Sequence, residues 1–147
     1  MSNTENEKLK NEKKIKHLEF IQNIITRMNS NSFMIKGWCV TLVSALFALA
    51  AKDSNTNFAV ITCIVIPALW FLDSFFIIRE KHFRKLYDIT REKDDVDFSL
   101  NIDTLKAKDW FYNGVLNNTL IIFYGIIIIT SLFMRISSWL SDSKIKN

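Results

Sequence analysis

The sequence predicts an all-α membrane protein with three transmembrane helices, an N-terminal amphipathic cytoplasmic helix and a cytoplasmic extension of the second span. Two apolar stretches, 33–51 and 58–78, flank a short polar break, and a third covers 115–136. At about 1.5 Å of rise per residue, roughly 20 residues cross a hydrocarbon core of about 30 Å. Because the break is too short to return a helix to the same side, the first two spans must be antiparallel neighbours.

The composition favours one small helical unit, and we expect residues 1–147 to form a single membrane domain. Only 3 residues are glycine and 1 is proline, so little of the chain is set aside for turns. The net charge of +4 comes from basic residues beside the apolar stretches, where membrane orientation explains them. Direct binding of nucleic acid is therefore not expected.

The segment 13–30 has the pattern of an amphipathic helix. Its apolar residues recur at steps of three and four between charged ones, at Leu18, Ile21, Ile25 and Met28. Such a helix either lies on the inner headgroup layer or packs on a partner helix. The sequence N-S-N-S at 29–32 is expected to break the helix and to cap the first span.

A cytoplasmic helical connector is expected at 79–114, followed after the third span by a tail at 137–147. Phe83, Leu86, Tyr87 and Thr90 keep helical spacing, so the second span should project as a helix beyond the membrane and meet the amphipathic helix. The acidic stretch 94–103 lacks histidine and the spacing of a calcium loop. It is interpreted as a docked loop.

The distribution of lysine and arginine predicts the orientation. Six precede the first span, eight lie in the connector, and only Lys52 lies between spans one and two. Because cytoplasmic loops carry the excess of basic residues, the N-terminus and the connector should be cytoplasmic and the C-terminus outside. The expected location is the inner (plasma) membrane.

Two charged residues within the apolar stretches are candidates for an ion pair. When the hairpin is reflected about the middle of its break, Lys36 falls opposite Asp73. At one depth the two groups would neutralise each other, whereas either one alone would cost several kcal/mol in lipid. Alternatively, Lys36 snorkels to the headgroups and Asp73 takes up water.

Small residues form a stripe along the first span. They recur at steps of four and three, and such a stripe lets helix backbones approach closely in lipid. Whether the stripe faces span two, span three or another subunit is left open by the pattern. Its members are Gly37, Thr41, Ser44, Ala48 and Ala51.

The sequence contains no phosphate-binding loop, no nucleophile elbow and no zinc-binding motif. We therefore expect no enzyme activity, no catalytic residue, no cofactor and no metal. A cytoplasmic basic face follows span two, which is either an ordinary solvated surface or a contact for anionic headgroups or a nucleotide signal. This face consists of Lys81, Arg84, Lys85 and Arg91.

The segments 24–51, 83–88 and 96–101, and above all the N-S-F-x-x-K-G-W block at 31–38, resemble a group of small bacterial multi-pass membrane proteins. Such proteins are often regarded as effectors of anti-phage modules that compromise the membrane of an infected cell. The resemblance implies no catalytic residues. It marks as candidate signature positions Asn31, Ser32, Phe33, Lys36, Gly37, Trp38, Asp97, Phe98 and Ser99.

These observations predict a small homo-oligomeric membrane protein, with the lipid bilayer as its surroundings. Three spans enclose no aqueous path, so a pore-forming or membrane-perturbing activity would require several subunits. The second hypothesis is a non-conducting anchor or accessory subunit that recruits a cytoplasmic protein partner. The phage-defence role is what the resemblance implies.

Overall fold

The computed structural model describes residues 3–53, 57–93, 98–101 and 111–145. It contains three long helices, which we call α1 (Asn3–Asp53), α2 (Asn57–Glu92) and α3 (Asn118–Ile145). A short π-helical segment, Phe111–Val115, precedes α3. All three long helices contain an apolar window sufficient to cross a membrane, within Thr4–Ala51, Ile61–Glu92 and Asn118–Ser137. The described residues therefore form an all-α fold with three candidate spans, as predicted.

Helices α1 and α2 pack against each other as an antiparallel pair. Early residues of α1 meet late residues of α2, as Ile21 and Ile25 do with Phe83. Further along α1, Cys39 and Val43 share a core cluster with Ile66, which lies early in α2. Buried positions of α1 recur at steps of three, four and seven, the spacing of a coiled-coil seam. They are His17, Ile21, Ile25, Ser32, Ile35, Cys39 and Val43.

The predicted helix break at 29–32 is wrong, because α1 continues through this segment. Ser32, expected as a cap, is buried and donates its hydroxyl to a side chain of α2. Serine and asparagine disfavour helix interiors only weakly, and packing of the buried seam against α2 outweighs that preference. Segment 13–30 and the first candidate span are therefore one helix.

Helix α2 extends as predicted beyond its apolar part, to Glu92, and segment 13–30 of α1 packs on this extension. Ile21 and Ile25 form a buried cluster with Phe83, and Leu86 and Tyr87 pack on that cluster. Pro67 lies inside α2 without ending the helix. The structure thus joins a span and its extension in each of the first two helices.

Helix α3 docks mainly through its first turns. Leu120 and Tyr124 are fully buried in the cluster that contains Cys39 and Ile66. The preceding π-helical segment is held by a hydrogen bond from Trp70 Nε1 to the carbonyl of Val115, at 3.1 Å. Further along, α3 is exposed, with Ile126, Ile129, Leu132 and Phe133 at its surface.

Several sequence-based expectations lie outside the described residues. The residues that the structure does not describe include 94–97 and 102–110. They hold most of the acidic stretch and the candidate signature position Asp97. The rest of the connector is described as the end of α2, residues 98–101 and the π-helical segment. Phe98 has a backbone φ of 53° and its ring lies 5.3 Å from that of the buried His17.

Candidate functional site

The three helices meet at a buried carboxylate. Ser32 and Lys36 lie one turn apart on α1, so both side chains reach the same face of the hairpin. Asp73 projects from α2 and has no exposed surface. Tyr124, one turn after Leu120 on α3, stacks on Trp70 with parallel rings 5.6 Å apart. This stacking places the phenol hydroxyl beside the carboxylate.

Both oxygens of Asp73 have donors. Lys36 Nζ lies 2.6 Å from Oδ2, and Tyr124 donates its hydroxyl to the same oxygen at 3.1 Å. Ser32 donates to Oδ1 at 2.5 Å. Lys36 Nζ also donates to Ser32 Oγ at 2.7 Å, which links the two α1 side chains. We call these four residues the carboxylate cluster.

The carboxylate cluster places the predicted partners Lys36 and Asp73 in contact. Snorkelling of Lys36 with separate hydration of Asp73 is not the arrangement found. A buried ion pair is retained only where geometry is good and the remaining lone pairs are satisfied, and the two hydroxyl donors meet that condition. The Lys36 side chain retains 18% exposure, so its ammonium lies at the edge of the cluster.

Sequence reasoning did not assign Ser32 and Tyr124 to this site. For Ser32 a signal was present, because it lies four residues before Lys36 and therefore on the same helical face. Tyr124 carried no such signal. Its hydroxyl also contacts the carbonyl of Leu69 at 3.3 Å, and only the docking of α3 reveals either contact.

The small-residue stripe lies on the outer surface of the structure. All five members, Gly37, Thr41, Ser44, Ala48 and Ala51, are exposed. A Cβ added at Gly37 would meet no atom within 4 Å, and Thr41 donates its hydroxyl to the carbonyl of Gly37 in its own helix. Of the alternatives left open, packing on span two or span three within the chain is not what the structure shows.

The predicted cytoplasmic basic face is exposed along α2, but two of its residues have partners within the chain. Lys81 Nζ donates to the carbonyl of Asn113 at 2.8 Å. Arg84 pairs with Glu80, four residues earlier, at 2.7 Å. Lys85 and Arg91 are exposed. The basic face is therefore partly neutralised and partly tied to the segment before α3.

The N-S-F-x-x-K-G-W block divides between two surfaces. Ser32 and Lys36 face inward to the carboxylate cluster, whereas Phe33 and Trp38 are exposed at 78% and 59%. Aromatic side chains beside charged ones are typical of a membrane boundary. One face of the block thus joins the helices, and the other is available to lipid or to another protein.

The arrangement joins three helices around one carboxylate. Both Asp73 oxygens already accept from neighbouring side chains, and the carboxylate is fully buried. Among the described residues, no group of three or more His, Cys, Asp or Glu side chains is placed to hold a metal ion. The chemical capacity of the carboxylate cluster is to couple the positions of α1, α2 and α3.

The class supported by these features is a helical protein compatible with membrane embedding, with three candidate spans joined by buried charges. No family model, curated protein or solved structure matches the chain.

Proposed function

We propose that this protein is a small homo-oligomeric integral membrane protein that permeabilises the bacterial inner membrane as an effector of anti-phage defence. In this proposal the N-terminus and the connector are cytoplasmic and the C-terminus is outside. The defence role depends on the resemblance of the N-S-F-x-x-K-G-W block to small bacterial multi-pass membrane proteins. The self-assembly depends on the surface of α1 and α3.

The observation that carries self-assembly is the outward position of the small-residue stripe. Within lipid, helices associate through close packing and weak polar contacts rather than through a hydrophobic force. A five-residue stripe of Gly, Thr, Ser and Ala suits such packing, and all five residues are exposed. A second copy of α1 is the partner that we propose.

The sparse burial of α3 supports the same conclusion. Only 11% of its apolar window is buried, against 28% for the window in α2. Lipid or another subunit must cover the remaining surface. Because the core between the helices is filled by apolar residues such as Cys39, Ile66 and Leu120, we place the conducting path between copies.

A matched pair of substitutions tests assembly. Ala48→Leu adds bulk on the stripe, whereas Ala45→Leu makes the same change on an exposed position about 60° around the helix, at about 100° per residue. We expect the wild-type chain and Ala45→Leu to purify in detergent as particles of several subunits. Ala48→Leu should shift the particle mass towards the monomer.

Permeabilisation is measured on the same three proteins. In cells carrying a membrane-potential dye, induced wild-type protein and Ala45→Leu should depolarise the membrane, and Ala48→Leu should do so much less. A monomeric wild-type particle together with no depolarisation under any triggering condition, phage infection included, would exclude the proposal. Plaque counts on cells with and without the gene test the defence role separately.

An anchoring function is the second candidate, and the exposed surface of the α1 extension favours it. Ile15 and Phe20 are exposed at 57% and 58%, well before the first span. Apolar side chains on a charged helix provide a surface for a soluble protein partner. If the protein is an anchor, Ile15→Ser with Phe20→Ser should abolish recruitment of the soluble partner. If it forms a pore, the same double substitution should leave depolarisation unchanged.

A further inference from the structure

A cleft of about 450 Å³ opens beside the carboxylate cluster, where all three helices contribute to its walls. Ser32 and Lys36 come from α1, Glu80, Lys81 and Arg84 come from α2, and Asn117 and Thr119 come from the start of α3. Its volume is within the range of about 300–1,000 Å³ that is usual for ligand sites. We call it the α3 cleft.

The charges around the α3 cleft leave a positive excess. Lys36 is neutralised by Asp73, and Arg84 is neutralised by Glu80. Lys81 contacts a neutral carbonyl, that of Asn113, so its charge has no counterion in that contact. Counted over the described residues alone, the cleft therefore carries one positive charge in excess, and the exposed guanidinium of Arg84 lies in the same wall.

Helix α3 begins at this cleft and adds to its positive potential. Asn117 caps the helix, since its Oδ1 accepts a hydrogen bond from the Thr119 amide at 3.0 Å. A helix of 28 residues presents about half a positive charge at its N-terminus. Asn117 and Thr119 both line the cleft, so polar residues lie beside the cations there.

The α3 cleft also lies at a boundary of the apolar spans. The candidate span of α3 starts at Asn118, and Phe33, exposed at 78%, lines the cleft at the edge of the first apolar stretch. A cationic cleft next to an exposed aromatic ring matches the depth at which phosphate groups and acyl chains of lipids meet.

From these features we infer that the α3 cleft binds a phosphate group, held by Lys81 and Arg84 at the start of α3. The phosphate belongs either to a phospholipid headgroup or to a soluble phosphate. Every wall of the cleft comes from one chain, so this inference does not depend on the self-assembly proposed above. A monomeric protein would still bind the phosphate.

The test compares two lysines that are one turn apart on α2. Lys81→Gln removes the charge inside the cleft and keeps a side chain that can donate a hydrogen bond. Lys85→Gln removes the same charge from an exposed position outside the cleft lining. Arg84→Gln is the second cleft variant. Circular dichroism of each purified full-length chain checks that helicity is preserved.

The lipid arm uses nanodiscs of phosphatidylcholine with a minor fraction of phosphatidylglycerol, followed by native mass spectrometry of retained lipid. We expect wild type and Lys85→Gln to retain phosphatidylglycerol, and Lys81→Gln and Arg84→Gln to retain about tenfold less, as expected for loss of a charge-assisted hydrogen bond. The soluble arm titrates inorganic phosphate into phosphatidylcholine nanodiscs and follows the phosphorus NMR linewidth.

Selective loss of phosphatidylglycerol in the cleft variants supports the inference with a lipid as the source. Selective loss of phosphate broadening in the same variants supports it with a soluble phosphate as the source. Equal responses of Lys81→Gln and Lys85→Gln in both arms would show a diffuse basic surface and overturn the inference. Absence of binding by the wild-type chain in both arms would overturn it as well.

Discussion

At Asp73, three donors converge on one side chain, and this number determines what a substitution there should do. Asparagine preserves the shape and one acceptor oxygen but leaves the Lys36 ammonium without its counterion. Removing one partner of a buried pair costs about 3–5 kcal/mol. The 18% exposure of Lys36 places the expected loss of unfolding free energy for Asp73→Asn near the lower limit, at about 3 kcal/mol.

Unfolding in a mixed detergent series, followed by circular dichroism, measures this loss. Asp88→Asn is the matched control, because it makes the same change on an exposed position of the same helix. The exchange of Lys36→Asp with Asp73→Lys should restore only part of the stability. In the wild-type chain Ser32 and Tyr124 donate to the carboxylate at position 73, and a lysine there has no acceptor for them. If Asp73→Asn loses no more stability than Asp88→Asn, the carboxylate cluster does not hold the helices together.

Part of this site could be predicted from the sequence. The contact between Lys36 and Asp73 follows from hairpin symmetry, because the break at 52–57 fixes which residues lie at equal depth. The role of Tyr124 could not be predicted in this way, because no symmetry relates α3 to the hairpin. A tyrosine in an apolar stretch also does not indicate by itself which group its hydroxyl contacts. Ser32 was assigned to capping because its polar neighbours suggested a break in the helix.

At the scale of an element, the continuity of α1 predicts opposite outcomes for two serines. Ser30 is exposed within the helix, so Ser30→Ala should be neutral or raise the free energy of unfolding by about 0.5 kcal/mol through helix propensity. Ser32→Ala removes a donor to the buried Asp73 and should lower it by about 1–2 kcal/mol.

The same detergent titration distinguishes these two outcomes. A helix break at 29–32 would make Ser30 part of a cap, and its replacement would then lower stability by about 1 kcal/mol. A loss of that size in Ser30→Ala, equal to the loss in Ser32→Ala, would contradict the continuous helix. Ser30→Gly, which should lower stability in an uninterrupted helix, provides a further comparison.

The helices themselves were more predictable than their boundaries. Long apolar stretches identify α1, α2 and α3, and the spacing of Phe83, Leu86 and Tyr87 predicts the extension of α2. The failure at 29–32 has a physical cause, because local capping preferences are worth about as much as a single buried contact. Where α1 packs along its length on α2, the tertiary contacts prevail.

For the whole molecule, the charge distribution predicts the orientation of the chain. Eight basic residues in the connector and six before the first span favour the cytoplasm, against one between the first two spans. We expect a C-terminal alkaline phosphatase fusion to be active and a C-terminal fluorescent protein to be dark. An N-terminal fluorescent fusion should be bright.

A fusion in the loop between spans one and two provides the control for that topology. A phosphatase placed after Lys52 should be active. Two spans separate Lys52 from the C-terminus, so the loop at Lys52 and the C-terminus should both lie on the outer side. A bright fluorescent protein at the C-terminus would contradict this topology. If the phosphatase after Lys52 were inactive as well, the whole chain would be inverted and the connector would lie outside. If that phosphatase were active, the connector would remain cytoplasmic and the third helix would not cross the membrane.

The burial of one carboxylate among three helices also constrains the order in which the chain can enter the bilayer. Lys36 is synthesised before Asp73, and Tyr124 follows 51 residues after the aspartate. Since neither charge is stable alone in lipid, the first two helices should leave the insertion machinery together, already paired. We expect the third helix to join the completed hairpin in a second step, in which the Tyr124 hydroxyl forms its hydrogen bond to Asp73.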